Sequence, residues 1–173
     1  MVSFRPVAVD DPAAHALIAE YFDSRAETFP QALGSYQPTF PSPEQFVPPV
    51  GLFLVLVDDG LVGDGVVGDR MDVGCGGIRA LGPTRFEIKH LWVQPRVQGR
   101  GFGRMLLTEL ERRALAFGAT EVVLDTNASL VAAGGLYRSS GYREIEPYND
   151  NPNATHWFGK ELPVRGQSRP ATT

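Results

Sequence analysis

Residues Val97 to Leu106 read VQGRGFGRML, and this stretch joins two different periodicities. Upstream, Arg85 to Val93 (RFEIKHLWV) alternates apolar and polar positions with β-branched and aromatic residues, the pattern of a strand. Downstream, Leu106, Leu107, Leu110, Ala114 and Phe117 recur at helical spacing, with Arg104, Thr108, Glu111 and Arg112 opposite. Gly99, Gly101 and Gly103 fall where that helix is about to start. Inside a helix a glycine costs about 1 kcal/mol against alanine, so three at alternate positions need a reason.

A helix N-terminus offers unpaired N–H groups and the positive end of a dipole, and so attracts anions. Glycines there let the backbone approach phosphate oxygens with no Cβ in the way. Gln98, Arg100 and Arg104 add side-chain donors, and arginine matches phosphate geometry. The segment therefore reads as a pyrophosphate cradle following a strand, against the alternative of a flexible loop with solvated arginines. It is not a nucleoside-triphosphate loop, because no GK[ST] follows the glycines. Nor is it a dinucleotide fingerprint: the spacing is GxGxG, and the segment lies past the middle of the chain.

Working outward, Val2 to Val9 reads as a first strand, and Asp10-Asp11-Pro12 opens a helix running to about Ser24. Residues 25–50 are proline-rich and read as a short helix with a long loop. Leu52 to Val57 is an apolar strand, Gly74 to Leu81 its return strand, and the glycine-rich Val62 to Asp72 an insertion between them. After the central helix come a strand at Glu121 to Thr126, a helix at Ser129 to Ser139 capped by Ser129, and strands at Tyr142 to Glu146 and Thr155 to Leu162. The order is that of one α/β domain with a mixed sheet over residues 1–162, followed by a disordered tail at 163–173.

Bulk properties are those of an ordinary globular protein: 173 residues, 43% hydrophobic, 21% charged, with a net charge of −4. That balance points to neither nucleic acid nor an anionic membrane as partner. The basic residues are nearly all arginine. Cys75 is the only cysteine, so no internal disulfide can form, and a cytoplasmic location is expected. No Cys/His cluster suggests a metal, and no apolar run is long enough to span a bilayer.

The string Gln98-Gly99-Arg100-Gly101-Phe102-Gly103 matches the [QR]-x-x-G-x-[GA] signature of GNAT N-acetyltransferases. EIKHLWVQP resembles that family's fourth strand, and DTNASLVAAGGLYRSSGY its next strand and helix, ending in LYxxxGY. With the closing ATHWFGKEL, the resemblance covers about residues 50–162, its blocks in the required order. It implies a mostly antiparallel sheet of six to seven strands with a splayed parallel pair, flanked by about four helices. It also implies acetyl-CoA as co-substrate, no metal, and acetyl transfer to a primary amine by direct attack in a ternary complex.

Residue by residue, the resemblance places the diphosphate on Gln98 through Arg104. It gives Leu91, Trp92 and Val93 main-chain contacts to the pantetheine arm. It makes Tyr137 the general acid, and Asn127 a contact to the cofactor or its water. For Tyr137 the alternative is a buried aromatic whose hydroxyl pairs with a carbonyl; for Asn127, a turn residue; for Leu91 to Val93, plain core. Glu87 is the candidate base, sharing a face with Lys89, Leu91 and Val93 if alternation holds, with His90 on the other. Its alternative is a surface strand glutamate paired to Lys89 or Arg85. Tyr148, Asn149, Asp150 and Asn151 lie on a loop that can border the acceptor cleft, although they equally suit a plain turn. A small-molecule amine is the expected acceptor, with a non-catalytic acyl-CoA sensor or a protein-lysine acetyltransferase as rivals. Many members of the family dimerise through sheet or helix edges, so a homodimer enters on resemblance alone.

Overall fold

A computed structural model describes residues 1–62, 66–67 and 70–163. Its strands are β1 (Val2–Val7), β2 (Gly51–Asp58), β3 (Leu61–Val62), β4 (Val66–Val67), β5 (Met71–Ala80), β6 (Arg85–Val93), β7 (Glu121–Thr126), β8 (Arg143–Glu144) and β9 (His156–Glu161). The helices are α1 (Pro12–Thr28), α2 (Phe102–Ala116) and α3 (Val131–Ser139). Seven strands form one sheet in the order β1-β2-β5-β6-β7-β9-β8, while β3 and β4 pair as a small hairpin. Within the large sheet β6 and β7 run parallel and the other neighbours antiparallel. This is the mixed sheet of seven strands with a parallel pair that the family resemblance implies, with three α-helices in place of about four among the described residues.

β2 is buried on both faces because helices cover both sides of the sheet. Phe53, Val55 and Val57 meet Leu17, Ile18 and Phe22 of α1. Leu52 and Leu54, with Ile78, Phe86 and Ile88, meet Leu106, Leu107 and Leu110 of α2. The apolar stripe of α2 thus lands on the sheet as its spacing requires, and Gly118 takes the left-handed conformation (φ 93°) just past its end.

Several boundaries differ from expectation: β1 stops at Val7 rather than Val9, β5 starts at Met71 rather than Gly74, and β8 keeps only Arg143–Glu144 of the expected Tyr142 to Glu146. Asp11 caps α1 by accepting from the Ala13 N–H (2.9 Å), but the helix runs past Ser24 to Thr28. No breaker intervenes until Pro30, which forces Phe29 to be extended. The proline-rich segment then holds only two 3-10 turns, Gln31–Leu33 and Pro43–Phe46, in place of a further α-helix. Ser129 does not cap α3. Its N–H is taken by the Asn127 side-chain oxygen (3.0 Å), so the chain turns once more before the helix begins at Val131. The insertion at Val62 to Asp72 lies partly outside the described residues, and the tail does so from residue 164 onward.

Candidate functional site

The site begins where the parallel pair stops pairing. β6 and β7 are in register at Arg85↔Glu121, Phe86↔Val122 and Glu87↔Val123, and no further. Both strands continue beyond that point, so the edges they turn toward each other carry backbone groups with no strand partner. On its other side β6 stays paired with β5, through Gly77↔Lys89 and then Cys75↔Trp92. Two residues, His90 and Leu91, therefore oppose the single Gly76, which is a β-bulge. His90 takes the left-handed conformation that the bulge needs, at φ 56°, uncommon for any residue but glycine.

The bulge corrects the strand's alternation. Leu91 packs against the α2-side core and Val93 against Val97 and Phe102 on that same side. His90 instead meets Tyr21, Phe22 and Phe46 on the α1 side, the side of Trp92. Glu87 and Lys89 thus do not share a face with Leu91 and Val93. Burial and the charges of Lys89 and Arg79 hold the His90 imidazole pKa down at about 3, so it is neutral near pH 7.

The glycine segment lies between β6 and α2. Gly101 is the N-cap of α2, left-handed at φ 81° and without a side-chain cap; Gly99 is left-handed too, at φ 78°. Open space lies where a Cβ would stand on either glycine. None of the backbone N–H groups from Gly99 to Arg104 finds a backbone partner among the described residues. Such a run of unpaired N–H groups at the start of a helix is able to hold an anion by backbone alone.

The neighbouring side chains are occupied. Gln98 donates to the Val93 carbonyl (2.9 Å). Arg100 pairs with Asp58 (2.9 Å) and lies over the Phe102 ring. Arg104 donates to the Ser139 carbonyl and to the hydroxyls of Ser139 and Ser140, tying α2 to the end of α3.

A cavity of about 520 Å³ opens at the splay, walled by α1, the proline-rich segment, β6, β7, α3 and the loop before β9. Tyr137 of α3 reaches it. Its ring is buried against Tyr142 and Phe158, and burial raises its pKa well above the usual phenol value. Asn127 also lines the cavity, but its amide is committed: Nδ2 donates to the Asn153 carbonyl (3.0 Å) while Oδ1 holds the Ser129 N–H. The turn reading of Asn127 accounts for both contacts.

Glu87 is fully buried, at 0% exposure. It accepts from Arg79 Nε (2.6 Å) and the Tyr148 hydroxyl (2.9 Å), with Lys89 Nζ at 3.4 Å. The alternative of a surface glutamate is thus overturned by burial; of its two named partners Lys89 is near, whereas Arg85 pairs with Glu121 instead. The carboxylate facing the cavity is Asp125, on β7. It is held by Asn149 Nδ2 (2.7 Å), Asn151 Nδ2 (3.1 Å) and Lys89 Nζ (3.3 Å).

The loop flagged in the sequence therefore supplies three side chains that grip these two carboxylates, while Asp150 stays exposed. Asp125 escaped sequence reading because one acidic residue ending a strand has no distinguishing pattern; only the splay gives it a cavity to face. Arg25 escaped because it lies beyond the expected end of α1. Cys75 is fully buried, its thiol donating to the His90 carbonyl (3.6 Å), and burial pushes its pKa up. Such a thiol is a poor nucleophile. Among the described residues no cluster of His, Cys, Asp or Glu is arranged to hold a metal, and no helix is long and apolar enough to cross a membrane.

A family model described as the Acetyltransferase (GNAT) family matches residues 14–142. An uncharacterised N-acetyltransferase of Schizosaccharomyces pombe is 33% identical over 109 residues, 62% of this chain and 61% of its own length. N-alpha-acetyltransferase RimI of Mycobacterium tuberculosis is 42% identical over 77 residues, 42% of this chain and 46% of its own. The chain thus spans 61% of the first relative and 46% of the second. Among solved structures, a GNAT-family acetyltransferase of Staphylococcus aureus superposes with a TM-score of 0.71 at 14% identity, over 94% of this chain and 100% of that one. At that identity the likeness is one of fold.

Proposed function

This chain belongs to the GNAT family of acetyltransferases, and from that premise we propose that it transfers an acetyl group from acetyl-CoA to a primary amine by direct attack. The observation that carries the reading is the run of N–H groups from Gly99 to Arg104 that have no backbone partner among the described residues, opening beside a splayed strand pair. An anion cradle next to unpaired strand edges suits a ligand with a diphosphate at one end and an amide-rich arm. Acetyl-CoA has both, and when bound it supplies the thioester that an amine can attack.

The residues around it divide the work. The N–H groups of Gly99 to Arg104 hold the diphosphate. The edge of β6 that faces β7 beyond Glu87, along Leu91 to Val93, aligns the arm; Gln98 already holds the Val93 carbonyl, and a preorganised N–H along that edge stabilises developing oxyanion charge. Arg100 and Arg104 act by shaping the cradle, through Asp58 and through the end of α3. As the amine nitrogen bonds to the acetyl carbon, Asp125 accepts the amine's proton and the carbon–sulfur bond breaks. Tyr137 hydrogen-bonds the departing sulfur and passes it a proton; its raised pKa keeps the hydroxyl protonated beforehand. Asp125 replaces Glu87 as base because it lines the cavity, whereas Glu87 is enclosed by Arg79, Tyr148 and Lys89. Glu87 then has a positioning role, holding the groups that surround Asp125.

The acceptor is a small-molecule amine in this reading. Similarity to RimI brings peptide N-termini into the comparison. Mass spectrometry of amines and peptides incubated with the protein and acetyl-CoA tests both. Acetylation of small amines supports the reading, acetylation of peptides alone moves the acceptor to protein, and binding of CoA without transfer to any amine overturns the enzyme in favour of a sensor.

A further inference from the structure

Arg25 stands in the last turn of α1, is 4% exposed, and lines the cavity. Its guanidinium lies over the Tyr36 ring, 5.5 Å from the centroid, and Nη1 is buried with no hydrogen-bond partner among the described residues. The carboxylates around the cavity are spoken for: Glu87 by Arg79 and Lys89, Asp125 by Lys89. Among the described residues, the three cations on the cavity wall, Arg25, Arg79 and Lys89, are met by Asp125 on the wall and Glu87 enclosed behind it, leaving one positive charge in excess. His90 does not change that sum, being neutral. An arginine cannot shed its proton to escape burial, and an unpaired buried charge is destabilising. Its retention on a cavity wall calls for an anion that the polypeptide does not provide.

We infer that the acceptor amine carries a carboxylate that docks on Arg25, so that the substrate class is a free amino acid or a close analogue. This rests on the acetyl-transfer reading above. One carboxylate balances one excess positive charge, whereas a phosphate, with about −1.5 to −2 charge at neutral pH, would overshoot it. A carboxylate also matches the planar fork of the guanidinium. Tyr21, Phe22, Tyr36 and Phe40 line the same wall and offer apolar rings to the body of the substrate. Asp125, at the splay, is left to the amine.

The test is steady-state kinetics on matched pairs, each a free amino acid and its C-terminal amide, with wild type, Arg25→Met and Arg25→Lys. The free acid is expected to exceed the amide in kcat/KM by on the order of 100-fold, chiefly through KM. Arg25→Met brings that ratio near one and Arg25→Lys restores part of it. CoA affinity by calorimetry stays unchanged in Arg25→Met, which melts no lower than wild type because it removes an unpaired buried charge. Equal use of acids and amides, a ratio that survives Arg25→Met, or preference for phosphoethanolamine over ethanolamine without any carboxylate preference overturns the inference. Thermal shift of the CoA-loaded protein separates this from failure of acetyl transfer itself. If no amine is acetylated, a shift produced by free acids but not amides, and lost in Arg25→Met, still supports the site, and its absence sinks it.

Discussion

Tyr137 and Tyr142 lie with ring centroids 5.9 Å apart, yet their hydroxyls differ in employment. Tyr142 donates to Glu111 (3.0 Å) and serves the fold, whereas Tyr137 reaches the cavity. Tyr137→Phe is therefore expected to lower kcat by about 10²-fold or more while leaving CoA affinity nearly intact, read by single-turnover kinetics and calorimetry. Equal losses in both would remove its role as acid. The two carboxylates separate similarly. Asp125→Asn should cut kcat/KM by about 10²–10³-fold with a near-normal melting temperature. Glu87→Gln should lower stability by roughly 2–4 kcal/mol in denaturant unfolding, because it disturbs a buried pair with Arg79. A Glu87→Gln protein of normal stability and no activity would return the base to Glu87. The residue types were legible in the sequence; which carboxylate met the cavity was not, since both lie on strands and burial depends on distant segments.

The cradle is a property of an element, the start of α2. Gly101 and Gly99 have left-handed φ and open space at the Cβ position, so alanine there strains the backbone without a clash. Each substitution should cost about 1–2 kcal/mol of stability and weaken CoA binding, measured by thermal melts and calorimetry. Gly135→Ala in α3, helical and equally open, should instead stabilise by up to about 1 kcal/mol. β6 shows where local reading stops. Its limits, Arg85 and Val93, follow from its pattern, but the bulge at His90 does not, because a bulge arises from register with β5. One inserted residue reverses the facing of all that follows it, which is why Leu91 and Val93 part company with Glu87.

At the scale of the molecule, packing α1 and the proline-rich segment over the sheet buries His90 among Tyr21, Phe22 and Phe46. Its pKa falls from 6.5 to about 3 in the folded chain. Folding thus favours the neutral ring, and its contribution is fully present above pH 6.5 and lost as pH falls toward 3. Unfolding free energy should decline across that window by as much as about 1.4 kcal/mol per pH unit from this group. His90→Asn, which tolerates positive φ, should flatten the slope in urea titrations at several pH values. An unchanged slope would mean that the ring titrates normally.

By itself the sequence determined the order of strands and helices, the glycine segment at the start of α2, and the family signature around it. These are local: period, caps and backbone freedom act within a few residues of one another. Tertiary structure alone decided that the parallel pair parts after Glu87 and Val123, that Asp125 faces the opening, and that Arg25 is buried there with Nη1 unpartnered among the described residues. Each depends on segments far apart in the chain being brought together, and the burial and charge balance that result belong to the assembled fold.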